Sequence, residues 1–341
     1  MDLSAMAWTA EVLAGPGRGV LAADESTPTM GRRPATVGPE NTAERRRAYR
    51  QLLFSTEGLA SSISGVTLAD ETIRQRADDG TPFPDLLGAA GIVPGIEVDR
   101  GTTPLAGFAS ELVTEGLDGL RLRLAEYVYL GARFATWRAV VRIGAGRPTP
   151  TCLEANAHAL ARYAALAHEA GLVPVVEPEV LMEGAHDLER CAEVTVATLR
   201  AVYEQLSRHQ VVLEATLLTT NMVLPGSESG AHADPEAVAD ATVDALREAV
   251  PAAVPGVLFL SGGQGAVEAT HDLAAINRRA PQPWELSFSF GRALQAPVLR
   301  CWAAGDEEGA RAALLHRAAM NGAARRGTYR PESEPSAAGA G

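Results

Sequence analysis

Two glutamates, Glu177 and Glu179, stand two residues apart inside an otherwise apolar run, LVPVVEPEVL at 172–181. Carboxyls in such a run are buried and need partners, and a buried carboxyl with a shifted pKa suits general acid–base catalysis. Further acids close other apolar runs: Asp24 after GVLAA, and Glu97 and Asp99 in IVPGIEVD. Two glycine-containing segments, Ser261-Gly262-Gly263 and Ser289 to Gly291-Arg292, combine hydroxyls, approachable backbone N–H groups and a guanidinium. That set suits a phosphate. Taken singly, an acid ending a strand can equally be a cap for the next helix, and the glycine segments can be plain turns.

One residue type is missing. All 30 basic residues are arginine. Average usage would give on the order of twenty lysines in a chain of this length. Without a side-chain amine, lysine imine chemistry, the P-loop lysine and pyridoxal-phosphate anchoring have no residue to use. The remaining composition excludes other classes. The 341 residues carry 42 acids and a formal net charge of −12, which argues against phosphate-backbone binding and so against a nucleic-acid partner. No apolar run reaches the roughly 18 residues of a membrane span. The N-terminal stretch lacks a signal-peptide pattern, and Cys152, Cys191 and Cys301 lack CxxC spacing, so reduced thiols in a cytoplasmic protein are expected.

These residues need elements to hold them. Eight short apolar runs read as strands: 19–24, 63–69, 92–99, 134–143, 172–181, 211–219, 257–262 and 285–290. Helical spacing fills the gaps, as in Asn156–Ala170 before Gly171, in 187–209, and in 235–250 after the Asp234-Pro235 cap signal. Strands alternating with helices predict a single α/β domain, a (β/α)8 TIM barrel over 1–330, with 331–341 as a flexible tail. A doubly wound sheet is the competitor, but no GxGxxG follows the first strand. Barrel chemistry gathers at the C-terminal strand ends. Read in order, these ends are Asp24, Asp70/Glu71, Glu97/Asp99, Thr136/Arg138, Glu177/Glu179, Thr219, Ser261-Gly262-Gly263 and Ser289-Gly291-Arg292.

Against this background, LAADES, NTAERRRAYRQLLFST, GIVPGIEVDRGT, TEGLDGL, LGARFATWRAV, GLVPVVEPEVLMEG, LEATLLTTNMVLPG, LSGGQ and FSFGRALQ carry a resemblance. From about Val12 to Tyr329 the chain resembles class I fructose-bisphosphate aldolase, in the family's order and spacing. The resemblance implies a (β/α)8 barrel, a homotetramer, and cleavage of a ketose bisphosphate through a lysine imine. It implies catalytic roles for Asp24, Glu177 and Glu179. It places Arg33 and Arg138 near the distal phosphate and substrate body, and Ser261, Gly262, Gly291 and Arg292 at the ketone-side phosphate, with Ser289 in the adjoining loop. The family's imine-forming lysine falls on Thr219, its second active-site lysine on Thr136 and a third on Glu97, and its C-terminal tyrosine has no counterpart.

These replacements remove three cations from the pocket and add one anion. Carboxyl protonation, a positively charged substrate group or a divalent ion such as Mg²⁺ would each relieve the excess. No cofactor is otherwise expected. The chain is thus expected to be a divergent, lysine-free member of the family. Its expected activity is lysine-independent aldol, retro-aldol or proton-transfer chemistry on a monophosphorylated sugar or related carbonyl compound. A catalytically inactive binding or assembly protein is the alternative.

Overall fold

Near-continuous apolar strands pair stably only where both faces are covered, and a closed parallel barrel covers them. The computed structural model describes residues 2–25, 41–279 and 281–334. Its strands are β1 (Gly19–Ala23), β2 (Ile63–Leu68), β3 (Val93–Glu97), β4 (Thr102–Pro104), β5 (Leu112–Thr114), β6 (Phe134–Val141), β7 (Val173–Val180), β8 (Leu217–Thr220), β9 (Gly256–Phe259) and β10 (Glu285–Phe290). Eight of them close a barrel in the order β1-β10-β9-β8-β7-β6-β3-β2, while β4 and β5 form a separate antiparallel pair. The (β/α)8 expectation holds.

The helices are α1 (Leu3–Leu13), α2 (Ala43–Phe54), α3 (Asp70–Ile73), α4 (Phe83–Ala89), α5 (Leu120–Tyr129), α6 (Pro150–Ala170), α7 (Leu188–Arg208), α8 (Pro235–Ala249), α9 (Ala266–Asn277), α10 (Arg292–Ala303) and α11 (Glu307–Arg325). Their boundaries follow local chemistry. Thr149, Asp187 and Asp234 cap α6, α7 and α8 by accepting from backbone N–H groups in the first turn. Gly171 ends α6 at φ +83°, the left-handed conformation that glycine adopts without strain. With Thr149 as cap and Pro150 at its first position, α6 begins six residues before the expected Asn156.

Helix α1 closes the bottom of the barrel. Its Met6, Ala10 and Leu13 pack with Val20, Phe134, Val173, Leu217 and Leu258 in one buried cluster. This cluster explains the one strand that starts late. Of the expected run 211–219, only Leu217 onward pairs as strand, and Leu213–Ala215 forms a 3₁₀ turn. The apolar residues ahead of β8 are apolar because Ala215 and Val212 pack in the α1 cluster, not because they pair.

Residues 331–334, expected as part of the tail, are held against α11 and Tyr329. Pro331–Ser333 form a 3₁₀ turn, and Glu334 accepts from Arg317 at 2.6 Å and from the Tyr329 hydroxyl at 3.1 Å. Residues 335–341 lie outside the described residues. Cys152, Cys191 and Cys301 are free thiols. No helix among the described residues is long and apolar enough to cross a membrane.

Candidate active site

In a strand, residues two apart point to the same face. Glu177 and Glu179 therefore share one face of β7, with Arg138 and Val140 of β6 as their register partners. The Arg138 guanidinium donates to the nearly buried carboxylate of Glu179. The Arg138 backbone N–H donates to Asp99 Oδ2 at 3.0 Å, and Gly101 N–H donates to Asp99 Oδ1 at 2.9 Å. Asp99 thus pins the segment after β3 to the middle of β6. Beyond it the β4–β5 pair leans on α6, where Asn156 Nδ2 donates to Leu112 O at 2.9 Å.

These groups open onto a cavity of about 800 Å³ at the C-terminal ends of the barrel strands. Asp24, Glu97, Arg138, Glu177, Glu179, Thr219, Ser261, Gly262, Ser289, Gly291 and Arg292 all line it, as the strand-end reading placed them. Its electrostatics are unusual. Burial, reinforced by Glu25, pushes the Asp24 carboxyl up to about 7. Burial and the nearby Asp24 push Glu177 up to about 8. Glu97 is driven well above the ordinary carboxylate range by burial and by Asp24, Asp99 and Glu177. Burial also raises Asp99, and it raises Glu179 in spite of the opposing Arg138. Removing carboxyls from water while crowding them together disfavours the charged form, so protons are retained near neutrality.

The opposite wall of the cavity is built for an anion. Ser261 and Gly262 follow β9, and Ser289 lies in β10 just ahead of Gly291, the N-cap of α10. Gly262 sits at φ +45° and Arg292 donates to its carbonyl oxygen, which brings the two loops together. A serine hydroxyl, the first N–H groups of α10 and the guanidinium are complementary to a phosphate.

Three of the expected strand-end residues stand elsewhere in the structure. Thr136 is 2% exposed and does not line the cavity. Strand β6 runs on to Val141, so Thr136 lies within the barrel wall, paired with Glu97 and Val175, and not at a strand end. Asp70 and Glu71 are also absent from the cavity wall. Asp70 accepts from Arg74 and from the Tyr127 hydroxyl, each at 2.9 Å, and Glu71 pairs with Arg46 at 2.7 Å. Arg33 lies outside the described residues.

Strand-end reading missed a supporting cluster. Arg50 of α2 pairs with Glu25 at 2.8 Å, and Gln295 of α10 donates to Glu25 at 2.9 Å and to the carbonyl oxygen of Ala22 at 2.8 Å. The Tyr49 hydroxyl donates to Gln295 Oε1 at 3.1 Å. These contacts fix the end of β1, and hence Asp24. A signal existed in the sequence: Arg50 and Gln295 are polar residues on the apolar faces of their helices, and a buried polar side chain needs a partner.

A model of the family described as fructose-bisphosphate aldolase class-I matches residues 5–340. The chain belongs to this family. It is 52% identical, over 97% of its own length and all of the relative's, to a probable fructose-bisphosphate aldolase class 1 of Xanthomonas axonopodis pv. citri. It is 51% identical to the cytosolic fructose-bisphosphate aldolase 6 of Arabidopsis thaliana, covering 94% of this chain and 90% of that one. Among solved structures, the fructose-bisphosphate aldolase of Plasmodium falciparum, in a complex with TRAP and a small-molecule inhibitor, superposes with a TM-score of 0.94. It is 45% identical, with 96% of each chain covered.

These relatives correct the functional expectation drawn from the missing lysines. Relatives at about half identity over nearly the whole chain are named as fructose-bisphosphate aldolases, the one from Xanthomonas as a probable class 1 enzyme. They point to the ordinary aldolase activity, not to altered monophosphate chemistry or a non-catalytic binding protein. Thr136, Thr219 and Glu97 are facts of the sequence. What is withdrawn is the change of function inferred from them.

Proposed function

We propose that the chain is a fructose-bisphosphate aldolase, a carbon–carbon lyase that splits a phosphorylated ketose into two smaller carbonyl compounds and joins them in reverse. The observation that carries the reading is the pairing, in one cavity of this family's barrel, of a phosphate-complementary wall with carboxyls whose protons are held near neutrality. Cleavage takes a proton from the hydroxyl beside the breaking bond and returns one to the carbon that keeps the electron pair. A base and an acid with pKa values near the working pH serve both transfers best. Asp24 and Glu177, at about 7 and about 8, bracket that range. Arg292 with Ser261 and the Gly262 and Gly291 backbone would anchor one phosphate. Arg138, already bound to Glu179 and half-exposed, would reach the substrate body.

The same reading takes the chain as a cytoplasmic homotetramer that requires no cofactor. Light scattering on the purified protein tests the assembly, and a single-chain mass would reject it.

The test is turnover of fructose 1,6-bisphosphate, followed by direct detection of both triose phosphates. Wild type is expected to release them in equal amounts. Glu177→Gln should lower kcat by roughly 10²–10⁴-fold, the usual range for a lost general acid–base group, with KM little changed. Release no faster than the uncatalysed rate by folded wild-type protein would overturn the reading.

A further inference from the structure

Among the described residues, one end of the cavity crowds its acids together. Asp24, Glu97, Asp99 and Glu177 act on one another there, from the ends of β1, β3 and β7. The Arg138 guanidinium is committed to Glu179 and Arg50 to Glu25, while Arg100 lines the cavity beside Asp99. Arg292 is turned to the carbonyl oxygen of Gly262 on the phosphate-complementary wall. A second, independent observation lies at the same end. Thr219 lines the cavity and is 2% exposed, and its hydroxyl oxygen has no hydrogen-bond partner among the described residues. A buried hydroxyl without a partner costs on the order of 1–3 kcal/mol, so something ordinarily satisfies it.

We propose that this end of the cavity, around Glu97, Glu177 and Thr219, is a binding site for a primary ammonium group. An ammonium has three N–H donors directed at separate acceptors, which matches two carboxylates and a hydroxyl held on different strands. Proton uptake neutralises a carboxyl and gives it one O–H donor, whereas an ammonium supplies three donors to the two carboxyls and the hydroxyl at once. A metal fits less well, because no three of these acids are grouped to share an ion. The chain supplies no ammonium of its own at this place, since it contains no lysine. The group therefore comes from outside, as a small free amine or as an amino substituent on a phosphate-bearing ligand held at Arg292. The inference rests on reading this cavity as the active site, but not on what is cleaved there.

The experiment is calorimetry at pH 7 in two buffers of different ionisation enthalpy, with EDTA present. The probes are ethylammonium chloride, and glucosamine 6-phosphate compared with glucose 6-phosphate. If the site accepts a free amine, ethylammonium binds and releases protons from the carboxyls, so its heat depends on the buffer. If the amino group must ride on an anchored ligand, only the amino sugar phosphate shows this, binding at least about tenfold more tightly than its hydroxyl analogue. Glu97→Gln should erase the preference and the proton release, and Thr219→Val should weaken ammonium binding several-fold; thermal melts confirm that both variants are folded. Equal binding of the two sugars with no ethylammonium heat would sink the proposal. So would a full preference in Glu97→Gln, or proton release provoked by Mg²⁺ without EDTA and not by ammonium. Turnover of fructose 1,6-bisphosphate is measured separately. Loss of cleavage with the ammonium preference intact would count against the aldolase reading alone.

Discussion

Arg292 and Arg138 show how differently two arginines serve one cavity. Arg138 is held by Glu179, so its guanidinium is positioned before any ligand arrives. Arg292 touches only a carbonyl oxygen, Gly262 O, among its described hydrogen bonds, which leaves most of its five donors for an incoming anion. Replacing Arg292 with alanine should therefore weaken binding of a phosphorylated ligand by about 2–5 kcal/mol, the typical loss for one partner of a desolvated charge pair. Calorimetry with glucose 6-phosphate measures it, and a loss below about threefold would show that the phosphate sits elsewhere. The acids differ for a similar reason. Glu179 has a cation in contact, whereas Glu177 has burial and Asp24 as its leading influences, so Glu177 is the better proton carrier of the two.

At the level of elements, the close approach of strands matters as much as the groups they carry. Gly95, in the middle of β3, faces the ring of Phe134 on β6, and a Cβ there would fall inside the ring's contact distance. Phe134 is fully buried in the cluster closed by α1, so the ring has no room to retreat. Gly95→Ala should then destabilise the protein by about 1–3 kcal/mol, the usual penalty for overpacking a filled core. Because β3 ends at Glu97 and pairs there with Thr136, the same change should disturb the carboxyl wall. Thermal unfolding checks the first effect, and an unchanged melting temperature would mean that the two strands separate more easily than the packing implies.

Across the whole molecule, the raised carboxyls link stability to pH. Asp24 goes from 3.8 to about 7 and Glu177 from 4.5 to about 8 on folding, so the folded protein binds protons that the unfolded chain releases. A raised carboxyl contributes its full stability below the unfolded pKa and loses it as pH climbs through the folded one. The ligand-free protein should therefore weaken steadily from about pH 4 to about pH 8. Between pH 6 and pH 8.5 the loss should be on the order of 4 kcal/mol, since each pKa unit corresponds to about 1.4 kcal/mol. Glu97→Gln removes one repelling acid and should flatten this slope. Urea unfolding across the pH series provides the measurement, and stability that rises over this window would contradict the shifts. The net charge of −12 adds self-repulsion of the same sign at higher pH, so the variant comparison isolates the contribution of the site.

Periodicity and local chemistry were enough to place the eight barrel strands, several helix caps and the acids and glycines at strand ends, because those depend on residues near one another in the chain. Composition alone established the absence of any side-chain amine, a fact that no fold can alter. Tertiary structure decided the rest. Thr136 is enclosed because β6 extends five residues past it, and Asp70 and Glu71 turn away because Arg74, Tyr127 and Arg46 lie closer than the cavity does. Arg50 and Gln295 reach Glu25 from helices that are remote in sequence. The near-neutral pKa values arise only when separate strands bury their carboxyls in one place. Register, strand length and long-range burial set all of these, and they exist only once the barrel has closed.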